Sequence, residues 1–353
     1  MTRVPLLALA VLALGFVATA PADPPRPGAP AVAPAPAGAE PKYINDDEMY
    51  EQFFDKLEEL AKEKKPLAHV DLIAKLQPRP AGVTPAKPAA KALSPEEVYR
   101  AAVASVFVVG SVHPDKDGNW QTGTYATAWV VAADGVLVTN WHVFEDLKNG
   151  EVFGAADRNG TAYPLTDFLG GDKTADVAVF RIAAKGLTPL PVAPGHAEIG
   201  SWVGLISHPG DLFYVYTQGA VTRYSTNKNE DDKVEKWMGV TAEFASGSSG
   251  SPLLNKYGAV VGMAALTLSL DANDDPKKPV RRTRPLAPRR PSRGDDKKNE
   301  KPKGKAPEVP GDKPKVKDPE KPDMKPEIGK GSPQQMVVKM AVPGPIVLKW
   351  IGK

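Results

Sequence analysis

The 353-residue chain contains no cysteine. That absence excludes disulfide bridges, thiolate metal sites and a lipid-bearing cysteine. A chain without disulfides must rest on its core alone. A membrane span is also hard to find. The apolar run Leu6 to Val17 is marginally short for one. What is abundant is Pro and Gly, 37 and 31 residues, with the Pro clustered. Much of the length is therefore not packed core, and the 42% apolar residues must concentrate in the remainder.

The start reads as an export signal over residues 1–22. Arg3 supplies a positive end, Leu6 to Val17 the apolar stretch, and Ala18-Thr19-Ala20 or Ala20-Pro21-Ala22 a small-residue cleavage site. An uncleaved anchor is the alternative. Residues 23–41 are Pro- and Ala-rich and read as an extended tether. Residues 42–77 read as an amphipathic helical segment. Met49, Tyr50, Phe53, Leu57, Leu60 and Ala61 recur at helical spacing, Asn45 with Glu48 resembles a capping box, and a shorter helix follows at 68–76. That apolar stripe must bury against the main domain, another copy or a partner. Residues 78–93 read as a second linker. Ser94-Pro95-Glu96-Glu97 then marks a helix start, with Ser as cap and Pro at the first helical position.

Residues 94–351 read as one β domain. Short strands are expected at Ser105–Gly110, Thr124–Ala132, Val136–Asn140, Glu151–Ala155, Ala162–Leu169 and Val177–Ile182. Further strands are expected at Trp202–Ser207, Tyr214–Arg223, Gly239–Phe244, Pro252–Asn255 and Ala259–Leu268. Asp134-Gly135 is a hairpin signal between two of them. Regularly spaced short strands mean a sandwich or barrels, not a βαβ sheet. Residues 271–333 break the pattern. From Asp271 to Ser332 there are 12 Pro, no aromatics, and 19 Lys or Arg against 12 Asp or Glu. Such a composition cannot bury enough apolar surface to fold, so the segment reads as a disordered insertion. Order returns with a strand at Gln335–Val342 and a short helix at Ile346–Ile351.

Three segments carry chemistry. Ser249 lies in Gly247-Ser248-Ser249-Gly250-Ser251-Pro252, His142 in Thr139-Asn140-Trp141-His142-Val143, and Asp176 in Thr174-Ala175-Asp176-Val177-Ala178-Val179. A serine hydroxyl is a weak nucleophile until a base takes its proton, and the oxyanion it creates needs donors. A Gly/Ser turn can aim the N–H groups of Gly247 and Ser249 at one point. His142 follows a β run, which holds a base rigidly. Asp176 opens a strongly apolar strand, so its carboxylate needs a partner there, and the second nitrogen of His142 would supply one. Taken singly, each residue also has a plain structural reading: a flexible turn, a surface histidine, a strand-start aspartate. Together, in the order His, Asp, Ser, they are hard to explain without a nucleophilic triad.

These segments resemble those of the HtrA (Deg) family of trypsin-like serine proteases. Ile199-Gly200-Ser201-Trp202-Val203-Gly204 and Gln218-Gly219-Ala220-Val221 are similar to the strands that precede its serine signature. The resemblance covers about residues 95–265 and 335–351. It implies an all-β fold of two six-stranded antiparallel β-barrels with the site between them, an N-terminal helical segment and a short C-terminal helix. It implies His142 as general base, Asp176 as its orienter, Ser249 as nucleophile, and Gly247 and Ser249 N–H groups as the oxyanion hole. No cofactor or metal is expected, and the partners are protein or peptide substrates. The expected location is exported: periplasmic, envelope or secreted, and tethered if the signal stays uncleaved.

Departures from the family pattern are Ser248 in place of Asn, Ser251 in place of Gly, and Trp141 in place of a small polar residue. No PDZ module is expected after the protease-like domain, nor peptide sensing through one. Digestive relatives place an Asp directly before the nucleophile. Ser248 stands there, so control is expected from loop ordering instead. Glu243, six residues before Ser249, is the candidate floor of the primary substrate pocket, where a buried carboxylate would favour Lys or Arg. The rival to an endopeptidase is a catalytically silent protease-like module that binds peptides or scaffolds an envelope assembly.

The eight Lys and Arg of residues 276–293, with no acidic residue among them, either contact polyanions or form a solvated spacer. A polyanion column separates the two. Salt-sensitive retention lost on deleting 276–293 marks contact, and retention unchanged by the deletion marks a spacer.

Overall fold

The computed structural model describes residues 43–63, 79–145, 147–229, 231–271, 281–283 and 334–352. The expected export signal, the tether, the helix at 68–76 and most of the 271–333 segment lie outside them. Among the described residues no helix is long and apolar enough to cross a membrane.

Helix α1 (Asp46–Lys62) starts where Asn45 accepts the Glu48 N–H, and α2 (Pro95–Ala102) starts with a full capping box between Ser94 and Glu97. Strands β1 (Val106–Pro114), β2 (Trp120–Ala132), β3 (Val136–Thr139), β4 (Val152–Ala156), β5 (Ala162–Asp172) and β6 (Val177–Ile182) follow. They close into an antiparallel barrel in the order β1-β2-β3-β6-β5-β4. Its interior holds Phe107, Leu137, Phe144, Phe153, Phe168 and Phe180, all buried.

Strands β7 (Trp202–Ser207), β8 (Val215–Lys228), β9 (Val234–Val240), β10 (Pro252–Leu254) and β11 (Val260–Asp271) form the second sheet with β12 (Arg281–Thr283) and β13 (Gln334–Pro343). Strand β10 pairs with both β7 and β11, so six strands also close on themselves here, and β12 is added beside β11. Val203, Leu205, Val221, Met238, Val240 and Leu253 fill this second core. The short helix α3 (Gly344–Ile351) ends the described chain and buries Val347 and Ile351.

Three expectations change. The described part of the expected 78–93 linker, residues 79–93, is not free chain. The N–H groups of Ala81 and Val83 donate to Trp350 and Ile351 at the end of α3, and those of Ala89 and Leu93 donate to Tyr257 and Lys256. An extended chain without a hydrophobic period still satisfies its amides by lying along a neighbour's carbonyls. The charged segment after residue 271 contains order too, since Arg281–Thr283 pairs with Thr267–Ser269. Strand β9 begins at Val234 and ends at Val240 rather than running from Gly239 to Phe244. The turn at Asn229, whose side chain accepts the N–H groups of Asp231 and Lys233, extends the β8–β9 hairpin toward the turn and draws the pairing with it.

The stripe on α1 docks on the first barrel. Gly110 of β1 and Gly154 of β4 are cross-strand partners. A Cβ at either would come within 2.8 Å of Phe53 or 2.7 Å of Leu57 respectively. This glycine pair makes the groove that the helix fills, with Tyr50, Phe53, Phe54, Leu57 and Ala61 buried in it. Leu57→Ala should therefore cost about 2–5 kcal/mol, read as a lowered denaturation midpoint. A change below about 0.5 kcal/mol would mean the helix is not part of the cooperative unit.

Candidate active site

His142 sits on a single 3₁₀ turn, Trp141–Phe144, just after β3. Phe144 pins that turn into the first barrel, its ring centroid 4.9, 4.6 and 5.7 Å from those of Phe153, Phe168 and Phe180. The imidazole therefore hangs from a packed aromatic cluster rather than from a loop. Asp176 lies at the tip of the β5–β6 hairpin with φ of +54°. Asp tolerates this left-handed conformation better than most residues. The bend is held by Asp176 N–H to Lys173 O and by Asn140 Nδ2 to Asp176 O at 3.0 Å.

The structure brings the three residues together. Asp176 Oδ2 is 2.8 Å from His142 Nδ1, and Oδ1 is 3.0 Å from both that nitrogen and the His142 backbone N. On the other side of the ring, Nε2 is 2.8 Å from Ser249 Oγ. A carboxylate at Nδ1 sets that nitrogen as the donor, which leaves Nε2 as an acceptor for the serine O–H. All three residues are buried, exposing 1% (His142), 2% (Asp176) and 0% (Ser249). At that depth, polar pairing is both strong and obligatory.

Ser249 lies on the turn leading to β10, in the second barrel. Gly247 and Gly250 take φ of +93° and +86°. A Cβ on Gly247 would fall on the His208 carbonyl oxygen, and one on Gly250 would fall on the Thr127 carbonyl oxygen, so only glycine fits either place. The Ser248, Gly250 and Ser251 N–H groups donate to Ala245, Ala264 and Ser248 carbonyls. The first barrel reaches across to the same turn. Thr127 of β2 donates its N–H to Ser249 O at 2.8 Å and its hydroxyl to Gly247 O at 3.0 Å, while Thr139 Oγ1 donates to Thr127 O at 2.7 Å.

Glu243 falls elsewhere. Its side chain is 76% exposed and its carboxylate lies 3.3 Å from Lys339 Nζ, which also donates to Phe244 O at 2.5 Å. A solvated carboxylate neutralised by a neighbouring ammonium does not supply the buried negative floor that a Lys or Arg side chain would need. The displaced end of β9 is the reason, because it leaves Glu243 beyond the strand.

Sequence reasoning missed Thr127, Tyr125 and Lys339, which act across more than 80 residues of chain and carry no local signature. His208 is a further case. It is fully buried, and its Nδ1 accepts the Tyr214 N–H at 3.1 Å.

Residues 126–263 match the family described as trypsin-like peptidase domain. This stretch, from β2 to β11, contains His142, Asp176 and Ser249. Among similar proteins, "Probable periplasmic serine endoprotease DegP-like" of Chlamydia pneumoniae is 32% identical over 144 residues, covering 40% of this chain and 29% of its own. "Serine endoprotease DegS" of Haemophilus influenzae is 26% identical over 156 residues, covering 44% and 45%. The chain thus spans less than half the length of these relatives. A solved serine endoprotease from Yersinia pestis aligns at 23% identity and a TM-score of 0.40, covering 54% of this chain and 62% of that one.

Burial pushes the His208 pKa from 6.5 down to about 3. Between those values the unfolded chain takes up a proton that the folded chain refuses, so stability falls as pH drops from about 6.5 toward 3. Denaturation midpoints across that window should decline with acid in the native protein and less steeply in His208→Gln. Parallel curves would remove His208 as the cause.

Proposed function

We propose that the protein is an exported serine endopeptidase that hydrolyses peptide bonds through an acyl-enzyme. The observation that carries this reading is the hydrogen-bonded line Asp176–His142–Ser249, with both links at 2.8 Å. In the reaction, His142 Nε2 takes the proton of Ser249 Oγ as that oxygen bonds to the substrate carbonyl carbon. The carbonyl oxygen becomes an oxyanion, assigned to the N–H groups of Gly247 and Ser249 on the turn that the left-handed Gly247 and Gly250 shape. The imidazolium then protonates the departing amine, leaving an ester on Ser249. Water, deprotonated by the same ring, hydrolyses that ester and regenerates the serine. Asp176 holds the ring in the tautomer that presents Nε2 and stabilises the charge it gains. The periplasmic names of the DegP-like relatives support the export reading. A Lys or Arg preference through Glu243 forms no part of it.

A second reading is a silent protease-like module that binds peptides or scaffolds an envelope assembly. It is favoured by one observation, the complete burial of Ser249. A fluorophosphonate probe separates the two. The endopeptidase reading expects one label per chain, lost in Ser249→Ala. It also expects His142→Ala to lower turnover at least about 10³-fold in a chain that still folds but melts at a lower temperature, because buried Asp176 loses a partner. Absence of label on folded native protein favours the silent module.

A further inference from the structure

The turn that bears the nucleophile is braced by a helix that begins 203 residues before it in the chain. At the start of α1, Asp46 Oδ1 accepts the backbone N–H of Phe213 at 2.8 Å. One helical turn on, the Tyr50 ring meets the Tyr125 ring edge-on, centroids 6.2 Å apart, and Tyr125 packs in turn on Phe213 at 6.3 Å. The Tyr125 hydroxyl donates to Asp211 Oδ1 at 2.5 Å and accepts the Asp211 N–H at 2.6 Å. Burial and the Asp211 carboxylate push the Tyr125 pKa upward, so the phenol stays protonated and keeps donating.

These contacts converge on the turn 208–214, a strained piece of chain in which Asp211 and Tyr214 both have positive φ, +67° and +59°. Non-glycine residues hold such conformations only where their surroundings impose them. The turn in turn touches the nucleophile loop. Gly210 N–H donates to Ser246 O at 2.7 Å, and the free side of Gly247 faces the His208 carbonyl and Tyr125 Cε2. The path from α1 to Gly247 is thus two bonded steps through the turn, or one packed step through Tyr125.

We infer that α1 is a latch for the oxyanion loop. Asp46 and Tyr50 hold the 208–214 turn, and that turn fixes Ser246 and Gly247 in the shape that aims the Gly247 and Ser249 amides at the reacting carbonyl. Asp46 is a positioning residue, since it acts through Phe213 and Gly210 and touches no reacting atom. Ser248 stands directly before the nucleophile and carries no charge, so no buried ion pair can order the loop from that position. The carboxylate of Asp46, delivered from a separate helix, orders it from behind. The inference rests on the serine endopeptidase reading.

The test uses the full chain with three substitutions. Asp46→Ala removes the acceptor. Asp46→Asn keeps an acceptor oxygen at the same place and is the rescue. Lys56→Ala, on the exposed side of α1, is the control. Losing a hydrogen bond to a charged acceptor corresponds to roughly ten- to hundredfold. The kcat of Asp46→Ala on a peptide substrate should therefore fall about tenfold or more, with KM within about twofold. Asp46→Asn should recover most of that loss and Lys56→Ala should show none.

Hydrogen exchange provides a readout independent of activity. Amides of 208–214 and 245–249 should exchange faster in Asp46→Ala, while those of β1, β3 and β6 keep their protection. An active native protein whose kcat and exchange do not change in Asp46→Ala overturns the latch, and so does faster exchange spread evenly over both barrels. Local exchange coupling in a native protein that never takes up the serine probe leaves the latch standing and removes the endopeptidase reading.

Discussion

Everything at the site depends on one imidazole held from both sides. His142 is fixed by a carboxylate on one edge and faces a hydroxyl on the other, each 2.8 Å away. The carboxylate comes from the β5–β6 hairpin of the first barrel and the hydroxyl from a turn of the second. Neither barrel alone contains the arrangement. The two must be held together to within a few tenths of an ångström, because a hydrogen bond weakens quickly outside its narrow distance range. Thr127 carries much of that constraint. It belongs to the first barrel and hydrogen-bonds two backbone carbonyls of the serine turn.

Burial sets the cost of the arrangement. A carboxylate with 2% exposure is tolerable only where its oxygens are occupied, and Asp176 has the His142 ring and backbone N–H on them. Removing the ring would take a partner from a buried charge, so the pair is mutually required. The supporting parts are equally specific. Phe144 fixes the height of His142 by filling the barrel interior, and two left-handed glycines let the serine turn pass against the His208 and Thr127 carbonyls. Packing, backbone conformation and polar pairing all serve the same few atoms.

Much of this was legible in the residues because the signals are local. The Ser94 capping box, the Asp134-Gly135 hairpin, the glycines around Ser249 and the apolar run after Asp176 each declare their geometry within a few positions. The stripe on α1 announced a buried face, though not its site, since the receiving groove is a pair of glycines on strands 44 residues apart. What stayed hidden is long-range or register-dependent. Tyr125 and Asp211 meet across 86 residues and Asp46 and Phe213 across 167, with no periodicity to reveal either. Glu243 is not a pocket floor because β9 ends at Val240 and leaves it beyond the strand, a boundary that no local residue signals. The strap at 79–93 looked like a linker because Pro- and Ala-rich chain has the same composition whether it is bound or free.

The central claim is tested most directly by a crystal structure of the full chain soaked with a peptide boronate. The account predicts boron bonded to Ser249 Oγ, one boronate oxygen accepting from the amides of Gly247 and Ser249, and His142 still bonded to Asp176. Clear density for a boronate bound in the cleft, with Ser249 unmodified and its hydroxyl turned away from His142, would contradict it.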